Sequence, residues 1–146
     1  MYMLFGVDDS AYFGCELPCR AASIDEAFRA LTPDHLHGVS GLVRQGEWFM
    51  VPVKEKDVPD PKDCVLLFNA RADAWEDEVV FLPLDHPDSN CHVIGTTDGR
   101  VGRDGKVYAL SACLDHQEHG TTDAGSKWVT FEKNTAVRSY SQEGVD

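Results

Sequence analysis

Val39-Ser40-Gly41-Leu42-Val43-Arg44-Gln45-Gly46-Glu47-Trp48-Phe49-Met50-Val51-Pro52-Val53 sets apolar residues on both sides of a central glycine, which is the pattern of a β-hairpin. A two-residue turn at Gln45-Gly46, with the glycine accepting a positive φ, places Arg44 opposite Glu47, Val43 opposite Trp48, Leu42 opposite Phe49 and Gly41 opposite Met50. Arg44 and Glu47 then make a cross-strand ion pair worth about 0.2–1 kcal/mol. One face carries Leu42, Phe49 and Val51; the other carries Val43, Trp48 and Met50. Both are apolar, so the hairpin either lies inside a two-layer structure or offers an aromatic patch around Trp48 to a partner. Apolar residues usually pack in cores, which favours the first reading.

Upstream, segments 3–7 and 11–17 are short and apolar or aromatic around Asp8-Asp9-Ser10, and read as a further hairpin. Ser23 precedes Ile24 with Glu26 three residues on, a capping box in which hydroxyl and carboxylate each satisfy a backbone N–H at the start of a helix. Ile24, Ala27, Phe28 and Leu31 follow i, i+3, i+4, i+7 as one apolar stripe meant for a sheet, and Thr32-Pro33 ends the helix. His35-Leu36-His37 reads as the loop leaving it and is given no role.

Downstream, residues 54–63 are charged and contain Pro59 and Pro61, a composition suited to a surface connection rather than a central strand. Residues 64–68 and 79–84 are β-favouring runs, and 71–78 between them is a short helix or loop anchored by Trp75. Residues 91–94 open another strand, and Asp104-Gly105 is a second hairpin turn. A two-residue turn there would oppose Arg103 to Lys106 and Val101 to Tyr108, and that like-charge pair points to an exposed tip or a longer loop. Residues 107–114 form one strand running into a polar loop, 128–131 a last strand, and 139–146 a frayed tail. The fold class expected is α+β: mainly antiparallel β-sheet built of hairpins, with one capped α-helix packed on it, as a single domain over 1–146.

The chain has 146 residues, of which 42% are hydrophobic, enough for a sizeable core. The 13 Lys and Arg against 25 Asp and Glu give a net charge of −12, which repels phosphate backbones and argues against direct nucleic-acid binding. The acidity suits a basic partner protein, or imitation of nucleic acid at a binding site, or simple solvation. No apolar run reaches membrane-spanning length, so no membrane role and a cytoplasmic location are expected. Five cysteines cannot all pair within a monomer, and Cys15 and Cys19 are spaced more widely than C-x-x-C.

Chemistry concentrates in Cys113-Leu114-Asp115-His116-Gln117-Glu118-His119. Cys113, His116 and His119 recur every third residue, and thiolate with imidazole is a donor set that Zn²⁺ takes. On an extended strand residues three apart face opposite ways, so convergence needs the strand to end near Leu114. His92 or Cys91 would be the fourth ligand, with Cys64 in reserve. An open position would let Glu118 or Asp115 act as general base toward a metal-bound water. The competing reading is a core thiol with loop histidines. Neither G-x-S-x-G, a Walker loop, G-x-G-x-x-G nor H-E-x-x-H occurs.

The order of a β-β-helix opening, Arg44-Gln45-Gly46-Glu47-Trp48-Phe49 with Pro52, Cys91-His92-Val93, and His116-x-x-His119 before a Trp strand resembles a family of uncharacterised bacterial and phage-type proteins. Where that family has Arg before the first His and Pro after it, this chain has Asp115 and Gln117. The resemblance implies a phage or mobile-element setting and an accessory role aimed at host machinery, with no activity attached. The expectation that follows is a small acidic accessory or inhibitor protein binding a host or phage protein with a basic surface. Its contacts would come from Trp48, Arg44, Glu47, Asp73, Glu76, Asp77 and Glu78, with Asp57, Asp60 and Asp63 extending the acidic face. The alternatives are a metal-dependent hydrolase or nuclease on His92, Cys113, His116 and His119, with zinc as cofactor, and a virion structural subunit.

Overall fold

The computed structural model describes residues 1–8, 11–69, 80–83, 92–116, 120–134 and 139–140. Strands β1 (Tyr2–Asp8) and β2 (Ala11–Leu17) form the expected opening hairpin, with Asp8 opposite Ala11. Helix α1 (Ile24–Ala30) follows, then β3 (Val43–Gln45) and β4 (Trp48–Pro52). Next come β5 (Cys64–Asn69), β6 (Val80–Pro83), β7 (Val93–Thr96), β8 (Asp98–Gly102), β9 (Val107–Leu110) and β10 (Cys113–His116). β11 (Gly120–Asp123), β12 (Trp128–Lys133) and β13 (Ser139–Tyr140) complete the order. Every described pairing is antiparallel, in sheets ordered β1-β2-β13, β11-β10-β7-β6 and β3-β4-β12-β9-β8-β5. Ser139 and Tyr140 therefore pair with Cys15 and Gly14 instead of starting a frayed tail.

The central hairpin forms one step away from its expected register. Its turn is Gly46-Glu47, and Gln45 pairs with Trp48, Arg44 with Phe49 and Val43 with Met50. Gly46 adopts φ +55, and glycine is favoured at the first central position of a primed hairpin turn. Glu47 consequently occupies the turn itself, and its partner is Lys133 at 3.4 Å rather than Arg44. The slip is by two in pairing, so every side chain keeps its face. Met50 enters the main core with Val43 and Trp48 packed beside it, and Phe49 is buried on the other side. The hairpin is thus covered on both faces.

The second hairpin takes the longer loop. Val101 pairs with Val107 and Arg100 with Tyr108, while the Gly102 N–H donates to the Lys106 carbonyl and Gly105 sits at φ +80. A three-residue loop with a left-handed glycine removes the Arg103/Lys106 opposition.

The strand expected over 107–114 is broken. Ser111 has φ +49, and the chain passes there from β9 in the six-stranded sheet to β10 in the four-stranded one. Thr97 marks the same corner between β7 and β8, and the 124–127 stretch marks it between β11 and β12, with the Ala124 N–H donating to the Ala112 carbonyl. Three long strands therefore bend together, which is how one antiparallel meander folds over its own core. Met50, Ile94, Ala109, Ala112, Leu114, Ala124 and Val129 fill the bend. The alanines at the corner leave room for the two halves to close to contact distance.

A second core joins β2 to α1 through Cys15, Leu17, Ala27 and Leu31. Only half of the predicted helical stripe is buried, since Ile24 and Phe28 are 66% and 41% exposed. The Ser23 hydroxyl accepts from the Glu26 N–H at 3.2 Å, and the Glu26 carboxylate reaches back to the Ala22 N–H at 2.7 Å, one residue beyond the cap. Ser23→Ala is expected to cost about 1 kcal/mol, read as a lower thermal midpoint.

Candidate functional site

In the ladder between β7 and β10, Asp115 pairs with Val93 and Leu114 with Ile94. One step further the same register sets His116 against His92, and their rings stack with centroids 4.3 Å apart and planes 28° from parallel. Both imidazoles are buried. Side chains alternate along a strand, so these two continue the inward face of Leu114 and Ile94 and close one end of the main core.

That alternation corrects the proposed ligand set. β10 runs through to His116 instead of ending near Leu114, so Cys113 and His116 lie on opposite faces. Asp115 shares the outer face with Cys113 and is exposed, accepting from the Thr121 hydroxyl at 2.7 Å. Cys64 stands on β5 in the other sheet, its thiol donating to the Asp60 carbonyl. His119, Glu118 and Cys91 lie outside the described residues. Among the described residues no three His, Cys, Asp or Glu side chains gather as a metal-holding group.

Gln45 joins the His92/His116 end to the hairpin. It is buried, and its amide nitrogen donates to the carbonyls of Leu114 and Gly120, each at 3.0 Å, and to the Thr122 hydroxyl at 2.9 Å. The sequence offered a signal for it: Gln45 is the polar exception on the face that also carries Val43, Trp48 and Met50.

Arg44 points the other way. Its Nε donates to the Gly46 carbonyl at 2.8 Å, and its guanidinium lies 5.7 and 5.6 Å from the Phe28 and Phe49 ring centres. It has no carboxylate partner among the described residues, and burial pulls its pKa below the usual arginine value. Aromatic faces supply the compensating electrostatics. Arg100 is held in the same manner, 4.7 Å over Trp128, with Asp98 at 3.1 Å and a bond to the Pro59 carbonyl. Of the proposed partner contacts, Trp48 is half-buried against the main core with the Lys133 ammonium over its ring. Asp57, Asp60 and Asp63 are exposed on the connection before β5, whereas Asp73, Glu76, Asp77 and Glu78 lie outside the described residues.

His35 and His37, given no role from sequence, both bind. His37 Nε2 donates to the carbonyls of Arg29 and Thr32 at 2.9 Å, satisfying the end of α1, and His35 contacts Glu132 of β12. Their partners are distant in sequence or on the backbone, so no local pattern shows them.

Burial pushes the thiols of Cys15 and Cys113 up from the ordinary thiol value. A thiol whose pKa is raised by folding contributes stability below its unfolded value, and that contribution is lost as pH rises through the folded one. Stability should therefore fall as pH climbs above the ordinary thiol range. At mildly alkaline pH a thiol reagent should label exposed Cys19 at least about tenfold faster than Cys15 or Cys113, as followed by mass spectrometry.

Comparison with known proteins gives no match: no family model fits the chain, and no characterised protein or solved structure is significantly similar to it.

Proposed function

We propose that this chain is a small acidic accessory or inhibitor protein that acts in the cytoplasm by binding a basic surface on a host macromolecule, including one that serves a nucleic-acid site. The observation that carries this reading is the acidic excess of a chain of net −12, which stays at the surface. Arg44 and Arg100 are drawn inward onto aromatic rings, while Asp25, Glu26, Asp34, Glu55, Asp57, Asp60, Asp63 and Asp123 stand exposed. The withdrawn charges balance, since Arg44, Arg100 and Lys127 are half-buried and so are Glu47, Asp98 and Glu132. Among the described residues the exposed surface therefore keeps the acidic excess of the composition, and such a surface steers toward cations. The α+β framework, with α1 as the single capped α-helix among the described residues laid against the sheet, supplies the carrier. No helix among the described residues is long and apolar enough to cross a membrane. A phage or mobile-element origin fits the accessory role.

The test is capture of a basic partner at low salt by the wild type and by a variant with Asp57, Asp60, Asp63, Asp73, Glu76, Asp77 and Glu78 changed to their amides. The complex should weaken at least about tenfold as salt is raised, and also in the variant. An equally tight complex after neutralisation would overturn the reading.

A second reading, a zinc-dependent hydrolase, is favoured by one observation, the stacked His92/His116 pair. His119 and Glu118 would complete that centre as third ligand and base, and Cys113 is no longer a member. Elemental analysis of the reduced protein beside a His116→Ala/His119→Ala variant tests it. About one zinc per chain, lost in the variant, supports the metal centre, and no metal in either retires it.

A further inference from the structure

Among the described residues strand β5 terminates the six-stranded sheet, and its sequence, Cys64-Val65-Leu66-Leu67-Phe68-Asn69, carries no charge. Val65, Leu66 and Leu67 are 65%, 50% and 41% exposed. Three consecutive exposed apolar residues on a strand point to both sides of the sheet, so neither layer among the described residues covers this edge. The exposed apolar side chains Phe5 and Val7 of β1 differ in this respect, since both lie on a single face whose reverse packs through Leu4 into the second core. Proteins usually guard an open edge with lysine, proline or an inward charge. β5 has none of these between residues 64 and 69, and its one irregularity is the bulge at Val65.

We propose that the outer edge of β5 is a self-association surface, at which a second copy of this chain pairs with it antiparallel, strand to strand. The unpaired N–H and C=O groups along an edge accept an extended chain rather than a helix or a small molecule. The side chains ask for an uncharged, apolar strand, and β5 of a second copy meets both demands. A two-fold axis at the strand's midpoint sets Leu66 opposite Leu67 of the other copy and Cys64 opposite Asn69. That pairing uses the β5 edge of each copy and closes at two. Charge decides the conditions. Copies of net −12 repel, but no charged side chain enters the strand pair, so added salt screens the repulsion and leaves the contact intact. Dimerisation should strengthen with salt, whereas the acidic docking proposed above weakens with it, and the two readings fail separately. A six-residue edge buries less than the roughly 1,200 Å² of a stable interface, which makes the dimer a weak, concentration-dependent one.

The experiment is sedimentation equilibrium of the reduced full chain over a concentration series at low and high salt. Leu66→Lys and Leu67→Lys variants run beside Phe5→Lys as a control on the other exposed apolar strand. Far-ultraviolet circular dichroism establishes that each variant is folded. Hydrogen exchange of the wild-type peptide covering 64–69 reads the same edge without substitution. The expected result is a monomer–dimer equilibrium, tighter by at least about threefold in high salt. It should be lost in both β5 variants and kept in Phe5→Lys, with exchange over 64–69 slowing as concentration rises. A monomer at every concentration overturns the proposal. So does a dimer that survives the β5 variants, loosens with salt or leaves exchange at 64–69 unchanged.

Discussion

Phe49→Ala should cost about 3–5 kcal/mol, the range for deleting a fully buried aromatic ring and leaving its volume unfilled. Phe49 is 1% exposed and lies on the face of β4 away from the main core. On that side the Arg44 guanidinium rests between the Phe49 ring and the Phe28 ring of α1. Removing the ring takes away transfer free energy and dispersion contacts, and it also deprives a half-buried cation of one of its two aromatic faces. Against a total stability of about 5–15 kcal/mol for a domain of this kind, the loss is a large share. Urea denaturation should show the midpoint falling with little change in slope. Phe28→Ala, at a ring 41% exposed, should cost about 1 kcal/mol. A double-mutant cycle of Phe49→Ala with Arg44→Met should return a coupling of about 0.5–2 kcal/mol. A Phe49→Ala protein within 1 kcal/mol of wild type would contradict the covered outer face of the hairpin.

The faces of that hairpin were legible because they depend only on period-two alternation, which survives a pairing slip of two. Its register was not, because it turned on which central position Gly46 occupies, and either assignment gives the glycine a positive φ. The start of α1 was readable from Ser23 and Glu26, since a cap is a local hydrogen-bond problem. The burial of its stripe was not, since what covers Ile24 and Phe28 depends on other elements. The break at Ser111 was invisible for a related reason: Val107-Tyr108-Ala109-Leu110-Ser111-Ala112-Cys113-Leu114 reads as one strand, and the corner arises where three strands bend together over Met50 and Val129.

The candidate site follows the same division. Spacing made Cys113, His116 and His119 look like a set, with the correct proviso that an extended strand would split them. The strand continues to His116, so the proviso decides the outcome for Cys113. His92 lies 24 residues before His116, and only the pairing of β7 with β10 brings the rings together. That kind of contact is set by register, and no spacing rule reports it.

Gln45 offers the sharpest test of how the two sheets are joined. Its amide nitrogen faces the carbonyls of Leu114 and Gly120 and the Thr122 hydroxyl, while its amide oxygen has no hydrogen-bond partner among the described residues. Only the donor end of an amide can face two carbonyls, so the orientation is fixed by its surroundings. Gln45→Ala should therefore cost about 2–3 kcal/mol, from acceptors left with fewer donors in a buried place and from the small void. Gln45→Glu keeps the shape and replaces the donor with an anion facing two carbonyl oxygens, and should cost about 2–4 kcal/mol at neutral pH. Its pH dependence separates it from a packing defect. Burial beside carbonyl oxygens disfavours the ionised carboxylate, so the introduced acid has a higher pKa folded than unfolded. Its neutral form, which can donate to a carbonyl, is retained below the unfolded carboxylate value, and stability is lost as pH rises toward the folded one. Urea midpoints for Gln45→Glu should thus approach wild type as pH drops from 7 to about 5, while those of Gln45→Ala keep a constant distance from it. Parallel curves for the two variants would show that the Gln45 amide does not hold β3 to β10 and β11.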